Sequence, residues 1–429
     1  MSLATAPSVA VPAPARNAYD VLQERGFVYQ CSDEAALRQR LDTGPVTFYC
    51  GFDPTADSLQ IGNMVPVMAM AHLQRAGHRP IAVVGGGTTM IGDPTGKTAA
   101  RRIMSREEID ANTQVFKRQL SRYLDLSDGR GLLVDNAEWL LSLKYIEFLR
   151  DYGRHFSVNE MLRAETYRTR LEAGLTFLEF NYMLLQAYDF LVLYRQHGCI
   201  LQIGGSDQWA NVLAGTQLIR RTAGAQAFAL TVPLVENADG TKMGKTAGGE
   251  TIWLDPRKLS PYQFYQYWVN VADADVGRYL KLFTFLPLEE IEPLAAVEGA
   301  ALREAKQRLA FEVTALAHGR EAAAQAQQTA QSLFGAGGAG GGEVDAALEA
   351  VPTATLERAA LEAGIEAIEL LTRTGLAESR SRARDLIDGG GAYLHGERLT
   401  RRTIGTADLR DGALLLRAGK KRYLRVLVS

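Results

Sequence analysis

The chain has 429 residues, 47% of them hydrophobic and 22% charged, with a mean hydropathy of −0.10, so it has ample material for buried cores and is not disordered throughout. Its 47 basic side chains are balanced by 49 acidic ones, which excludes a polycation built to coat nucleic acid. Cys31, Cys50 and Cys199 are odd in number and far apart, so neither a disulfide framework nor a CxxC zinc site can be drawn, and a reducing compartment is expected.

Residues 1–16 read as a disordered tail that lacks the basic start and apolar core of a secretory signal. No apolar run reaches the roughly 18 residues of a membrane span, so a cytoplasmic protein with no membrane partner is expected. From 17 to 240, apolar strand-like runs alternate with helical patterns. Strands are predicted at 46–50, 80–85, 132–135, 199–203 and 229–232, with helices after Gly62, near 106–123, at 177–196 and after Ser206. This rhythm predicts a Rossmann-like, doubly wound parallel sheet whose ligands gather at the carboxyl ends of its strands.

A connector at 241–260 follows, and then β signals fade into a helical domain at 261–334, including an Ala/Glu/Gln/Arg-rich stretch at 302–332 with good helix propensity. The Gly-rich run within 335–352 has little to bury and reads as a flexible linker. A third domain at 353–429 closes the chain. From Leu371 onward it carries 13 Lys/Arg and 6 Asp/Glu, a net +7 that leaves −9 for the rest of a chain whose total is −2. Such a basic tail suits contact with phosphate; a solvated basic face is the alternative.

Several catalytic motifs fail. Gly92-Asp-Pro-Thr-Gly96-Lys97-Thr98 has Ile91 where a P-loop needs glycine, and Gly204-Gly-Ser206-Asp-Gln208 lacks the last glycine of a nucleophile elbow. The histidines form no pair at metal-ligand spacing, so no protein-bound metal is expected. Two glycine-bearing loops do follow strands, Gly51-Phe-Asp53-Pro-Thr55 and Gly85-Gly-Gly-Thr88, where backbone can approach a ligand closely.

The predicted helix at 177–196 is apolar almost all round, Phe177 and Leu178 included, and is therefore expected to be buried. Tyr182, Gln186 and Asp189 nevertheless recur at i, i+4 and i+7, within about 60 degrees of one another on the helical wheel. A buried polar stripe of this kind either satisfies internal backbone groups or reads a polar ligand, such as an amino acid with a polar tip. Lys242 and Lys245, in the Gly-rich segment Asp239-Gly-Thr-Lys-Met-Gly-Lys-Thr246, are either a mobile phosphate clamp or solvated loop lysines.

Five ordered segments together resemble bacterial tyrosyl-tRNA synthetase, a class I aminoacyl-tRNA synthetase. They are Tyr49-Cys-Gly-Phe-Asp-Pro-Thr-Ala-Asp-Ser-Leu-Gln-Ile-Gly-Asn63, Gly85-Gly-Gly-Thr-Thr-Met-Ile-Gly-Asp93-Pro-Thr-Gly96, Tyr182-Met-Leu-Leu-Gln186-Ala-Tyr-Asp189, Leu201-Gln-Ile-Gly-Gly-Ser-Asp207-Gln208-Trp209 and Lys242-Met-Gly-Lys-Thr246. The segment Leu371–Leu394 resembles the S4-like RNA-binding module that ends this family's chains, and the helical domain resembles its anticodon-recognition region.

The resemblance implies an ATP-dependent ligase that forms tyrosyl-adenylate, with Mg2+ accompanying ATP, and passes the tyrosyl group to tRNA(Tyr). A homodimer is implied too. By motif, Tyr49 and Asp189 would read the phenolic hydroxyl, and Asp93, Tyr182 and Gln186 the α-ammonium group, with Asp53 and Gln202 also on the tyrosine side. Cys50, Gly51, Gly205 and Asp207 would meet ATP at its ribose, and Gln208 the carboxylate and α-phosphate region. Thr55, Gln60, Asn63, Lys97, Arg101, Lys242, Lys245 and Thr246 would line the pyrophosphate side. Gln60 stands where the family's HIGH-type motif has histidine; its amide donates a hydrogen bond but cannot become charged, so slower turnover is expected. Two rivals share the fold: a tryptophanyl-tRNA synthetase, against which the hydroxyl-reading pair argues, and an RNA-binding paralogue without turnover.

Overall fold

The computed structural model describes residues 16–95, 104–238, 240, 243–244, 249–334, 353–410, 412–419 and 422–429. The expectations for Lys97, Arg101, Lys242, Lys245, Thr246, residues 1–15 of the tail and the linker at 335–352 lie outside them. The chain forms two compact units. One takes in the chain to Leu254 together with Val271–Ala305; the other takes Asp255–Asn270 with Lys306–Ser429.

The first unit is built on a six-stranded sheet of β1 (Gln30–Cys31), β2 (Thr47–Phe52), β3 (Arg79–Val84), β4 (Leu132–Asp135), β5 (Cys199–Gly205) and β6 (Phe228–Val232), in the spatial order β1-β6-β5-β2-β3-β4. Strands β2 to β6 are parallel, and β3 and β6 are near-continuous apolar runs because helices cover both faces. The edge strand β1 runs antiparallel to β6 and was invisible in the sequence, since two residues carry no alternation. The chain winds outward from β2 through β3 to β4, then returns to lay β5 on the other side of β2. That reversal places a crevice at the carboxyl ends of β2 and β5.

The predicted helix at 177–196 is in fact two helices, Phe177–Phe180 and Tyr182–His197, broken at Asn181. Thr176 caps the first of them in a reciprocal pair with Glu179, and Glu179 is held by Arg170 in an ion pair that is almost wholly buried. The break corrects the expected burial: Phe177 and Leu178 belong to the short helix and are exposed, while Met183, Leu184, Phe190 and Leu191 of the long one are in the core. At the other end of this unit the Arg25 guanidinium donates to the carbonyls of Lys281, Thr284 and Leu286 at 3.1, 3.1 and 2.6 Å. His72 lies between the rings of Phe27 and Phe285, where burial lowers its pKa to about 3 and keeps it neutral.

The Ala/Glu/Gln/Arg-rich stretch forms the helices Ala300–His318 and Arg320–Phe334, separated by Gly319 at φ +95°. The C-terminal part forms a five-stranded sheet of Glu397–Arg398, Ala392–Leu394, Ala413–Ala418, Arg422–Val428 and Thr353–Leu356, in that order, with Ile365–Glu366 and Thr403–Ile404 paired separately. Its core includes Leu370, Leu371, Ala383, Leu394, Leu414, Leu416 and Val426. Arg380, Arg382 and Arg384 are exposed on the helix Arg380–Asp388.

Candidate active site

The crevice begins with Tyr49 on β2 and Gln202 beside it on β5. Both side chains are buried, and neither the Tyr49 hydroxyl nor Gln202 Oε1 meets a hydrogen-bond partner among the described residues. Burial and the nearby Asp189 carboxylate raise the Tyr49 pKa well above its ordinary value, so the phenol stays protonated. A buried unpaired hydroxyl costs about 1–3 kcal/mol, which a ligand group placed there would recover.

Around it run two hydrogen-bonded networks. In the first, Tyr182 Oη donates to Asp53 Oδ2 at 2.8 Å and Thr88 Oγ1 donates to Asp53 Oδ1 at 2.7 Å. Asn136 Nδ2 donates to Thr88 Oγ1 at 3.0 Å and to Asp189 Oδ2 at 2.9 Å, and Trp139 Nε1 donates to Asp189 Oδ1 at 2.7 Å. Residues from the ends of β2, β3 and β4 thus link the two ends of the polar stripe. Burial pushes the Asp189 carboxyl up to about 7 although the two donors pull it down, and the charges of Asp53 and Asp135 add to the rise.

In the second network Asn211 Nδ2 donates to Gln186 Oε1 and Gln208 Oε1, each at 3.1 Å, and Gln208 Nε2 donates to Asp93 Oδ2 at 2.7 Å. The Thr95 N–H fixes the other oxygen of Asp93 at 2.9 Å. Of the residues expected on the tyrosine side, Asp53, Tyr182 and Asp189 therefore join the first network and Asp93 and Gln186 the second, together with Gln208, while the Tyr49 hydroxyl and Gln202 Oε1 join neither.

Glycine is required where these loops meet. A methyl on Gly85 would fall inside the Asp53 carboxylate and the Thr88 hydroxyl, whereas a methyl on Gly51 or Gly62 meets nothing within 4 Å. Cys50 is buried, its thiol pushed up to about 12 by desolvation, and Sγ lies 3.8 Å from the Gly51 carbonyl. The Asp207 carboxylate lies over Gly205.

Thr55 and Gln60 are exposed at the start of the helix Ile61–Arg75, where Asn63 Oδ1 accepts from the Gln60 N–H at 3.0 Å. This half of a capping box uses one oxygen of Asn63 for the helix start. The Gln60 backbone pairs with Trp253 in an antiparallel bridge, flanked by Ile61 N to Ile252 O at 3.0 Å and Leu254 N to Leu59 O at 2.9 Å. Ile252 N in turn reaches Gly244 O at 2.9 Å, so Gly244 of the lysine-bearing segment is linked through Ile252 to the start of the helix Ile61–Arg75.

Sequence reading missed Thr88, Asn136, Trp139 and Asn211. Asn136 directly follows a strand at its carboxyl end, which was the available signal. Trp139 carried none, since its contact with Asp189 is remote in sequence, while Asn211 stands three residues after Gln208, a spacing that places the two on one helical turn.

Residues 41–335 match the family described as tRNA synthetases class I (W and Y), and residues 343–426 match the tyrosine–tRNA ligase SYY-like C-terminal domain. The chain belongs to the class I tRNA synthetases of the W and Y family. Tyrosine–tRNA ligase of Clostridium tetani is 50% identical over 415 residues, covering 96% of this chain and 99% of its own. That of Lachnoclostridium phytofermentans is 52% identical over 410 residues, covering 95% and 98%. Among solved structures of the family, a C-terminally truncated mitochondrial tyrosyl-tRNA synthetase of Aspergillus nidulans superposes with a TM-score of 0.67 at 29% identity, covering 74% of this chain and 94% of its own. A tryptophanyl-tRNA synthetase of Encephalitozoon cuniculi, at 13% identity and a TM-score of 0.53, shares the fold.

Proposed function

We propose that this chain is a tyrosine–tRNA ligase. The observation that carries the reading is the unpaired, buried Tyr49 hydroxyl at the β2/β5 crevice, with the Asp189 carboxylate electrostatically coupled to it. A phenolic hydroxyl donates to Asp189 and accepts from Tyr49, whereas an indole offers a donor alone, so the pair favours tyrosine over tryptophan. The near-full-length relatives named tyrosine–tRNA ligase support the same choice.

ATP enters as its Mg2+ complex; among the described residues no cluster of three His, Cys, Asp or Glu is placed to hold a metal. The tyrosine carboxylate attacks the α-phosphorus, the bond to the bridging oxygen breaks, and pyrophosphate leaves with the electron pair. The 3′-terminal adenosine of tRNA(Tyr) then attacks the activated carbonyl and AMP leaves. No protein nucleophile is required, so the enzyme acts by alignment and charge stabilisation. Tyr182, Gln186 and Asp93 receive the α-ammonium group, with Asp53 and Gln202 around the same pocket. Gln208 faces the carboxylate and α-phosphate. Cys50, Gly51, Gly205 and Asp207 meet the ribose. Thr55, Gln60, Asn63, Lys97, Arg101, Lys242, Lys245 and Thr246 stabilise the departing pyrophosphate, whose charge grows in the transition state.

The C-terminal domain, with its net +7 from Leu371 onward, takes the tRNA. The protein works in the cytoplasm as a homodimer: Leu141, Tyr145, Ile146, Val158, Phe177 and Leu178 are large apolar side chains exposed within one stretch of the chain, and a second copy would cover them. No helix among the described residues is long and apolar enough to cross a membrane. Tyrosine-dependent exchange of labelled pyrophosphate into ATP tests the reading; well-folded protein that binds tRNA without exchange would favour the RNA-binding paralogue.

A further inference from the structure

Beside the two networks, three hydrogen bonds from the inner face of the helix Arg106–Leu120 hold the loop between Asp53 and Gln60. Asn112 Nδ2 donates to the Pro54 carbonyl at 3.0 Å. Gln119 Oε1 accepts from the Leu59 N–H at 2.8 Å, and its Nε2 donates to Ser58 Oγ at 3.0 Å. Ser58 Oγ donates onward to the Leu59 carbonyl at 2.7 Å. Asn112 and Gln119 stand seven residues apart, hence on one helix face, and both are 8% exposed.

Burying two primary amides is costly unless their polar atoms are bonded, and here the bonds made run to this loop. Between the two anchor points lies Thr55, and Gln60 follows the second directly; both are exposed toward solvent while the chain that carries them is held from beneath. The helix also begins just after residues 96–103, which include Lys97 and Arg101, so it joins in sequence two groups assigned to the phosphates. Pro54, Ser58 and Leu59 of this short loop are buried while Thr55 and Gln60 are exposed, so the two amides satisfy its inward-facing polar groups and thereby fix where its outward side chains stand.

We infer that Asn112 and Gln119 are positioning residues for adenylate formation, holding Thr55 and Gln60 in register with the phosphates of ATP. The inference rests on the phosphate-side assignment made above. Displacing a group by about 1 Å can cost up to about 100-fold in rate, so a loosened loop should lower the rate of activation while leaving the tyrosine pocket unaffected.

The test compares Asn112→Asp, which keeps shape but removes the donor to Pro54, with Gln119→Met, which removes both of its bonds, and Gln119→Glu, which keeps an acceptor for the Leu59 N–H. The adenylate burst counts active sites, single turnover gives the rate constant per site, and equilibrium titration gives tyrosine affinity. The first two variants should lose about tenfold or more in rate per active site and show a raised KM for ATP, with tyrosine affinity within about twofold of the parent. Gln119→Glu should recover most of that rate. A normal rate per active site in both disrupting variants, or a loss of tyrosine affinity parallel to the loss of rate, would overturn the inference. Absence of tyrosine-dependent exchange in the parent protein would instead overturn the functional reading itself.

Discussion

Tyrosine affinity should depend on pH through Asp189. Burial pushes its carboxyl up to about 7, more than Asn136 and Trp139 lower it, and Tyr49, Asp53, Asp135, Tyr182 and Tyr188 are ionisable groups acting around it. Only the ionised form offers the phenol a charged acceptor. With a pKa of about 7, roughly a tenth of the sites are ionised at pH 6 and nine tenths at pH 8, so tyrosine should bind more tightly at pH 8 than at pH 6, by up to about tenfold. Phenylalanine, having no hydroxyl, should bind with no such slope, and Asp189→Asn should flatten the tyrosine profile.

The same shift has a stability counterpart. Because the folded state keeps a proton that the unfolded chain releases above about 3.8, stability attributable to Asp189 should fall as pH rises from about 4 to 7 and level off above, by a total on the order of 4 kcal/mol. Equilibrium dialysis of labelled tyrosine and phenylalanine between pH 5.5 and 8 decides the binding arm. A flat tyrosine profile, or an identical slope for phenylalanine, would show that Asp189 does not receive the hydroxyl.

Replacing Lys242 or Lys245 with Ala should slow adenylate formation by the equivalent of about 2.7–4 kcal/mol and leave tyrosine binding unchanged; normal single-turnover rates in both would remove the clamp role. A chain stopped after Phe334 should still form tyrosyl-adenylate but bind and charge tRNA poorly, with a shallower dependence of affinity on salt. Equal affinity and equal salt slope in the two proteins would refute a role for the C-terminal domain in tRNA binding. Gln60→His should accelerate activation about fivefold, since a charged donor in place of a neutral one is worth on the order of 1 kcal/mol; a slower, well-folded variant would mean that the site has adapted to glutamine.

What could be read from the sequence follows the range over which each signal acts. Strands β2 to β6 were legible because buried parallel strands are short apolar runs, and the stripe of Tyr182, Gln186 and Asp189 because helical periodicity is local. The capping box Thr176-Phe-Leu-Glu179 marks the helix start at Phe177 and not the break at Asn181, and because apolar residues continue on both sides of that break, Phe177 and Leu178 were placed in the core. The partners of Asp189 were illegible for a different reason. Asn136 and Trp139 precede it by 53 and 50 residues, and no periodicity connects the end of β4 to a helix that follows it so much later. Asn112 and Gln119 looked like ordinary polar positions on an amphipathic helix, because only the packed structure shows that they face inward.

The three carbonyls that receive the Arg25 guanidinium lie 256 to 261 residues further along the chain. A ribosome adding 5–20 residues per second emits that length in roughly 13–50 seconds. During all of this time the first helix, Ala18–Arg25, carries a cation whose buried destination has not been synthesised. The sheet-bearing unit therefore cannot finish folding when its last strand emerges; it must wait while Asp255–Asn270 passes out and Val271–Ala305 arrives. Closing so long a loop is slow relative to local pairing, and the apolar seat of His72 stays open until Phe285 fills it. In a nascent chain that pause is a window for chaperone binding and for proteolysis, and any slowing of translation between residues 254 and 305 would lengthen it.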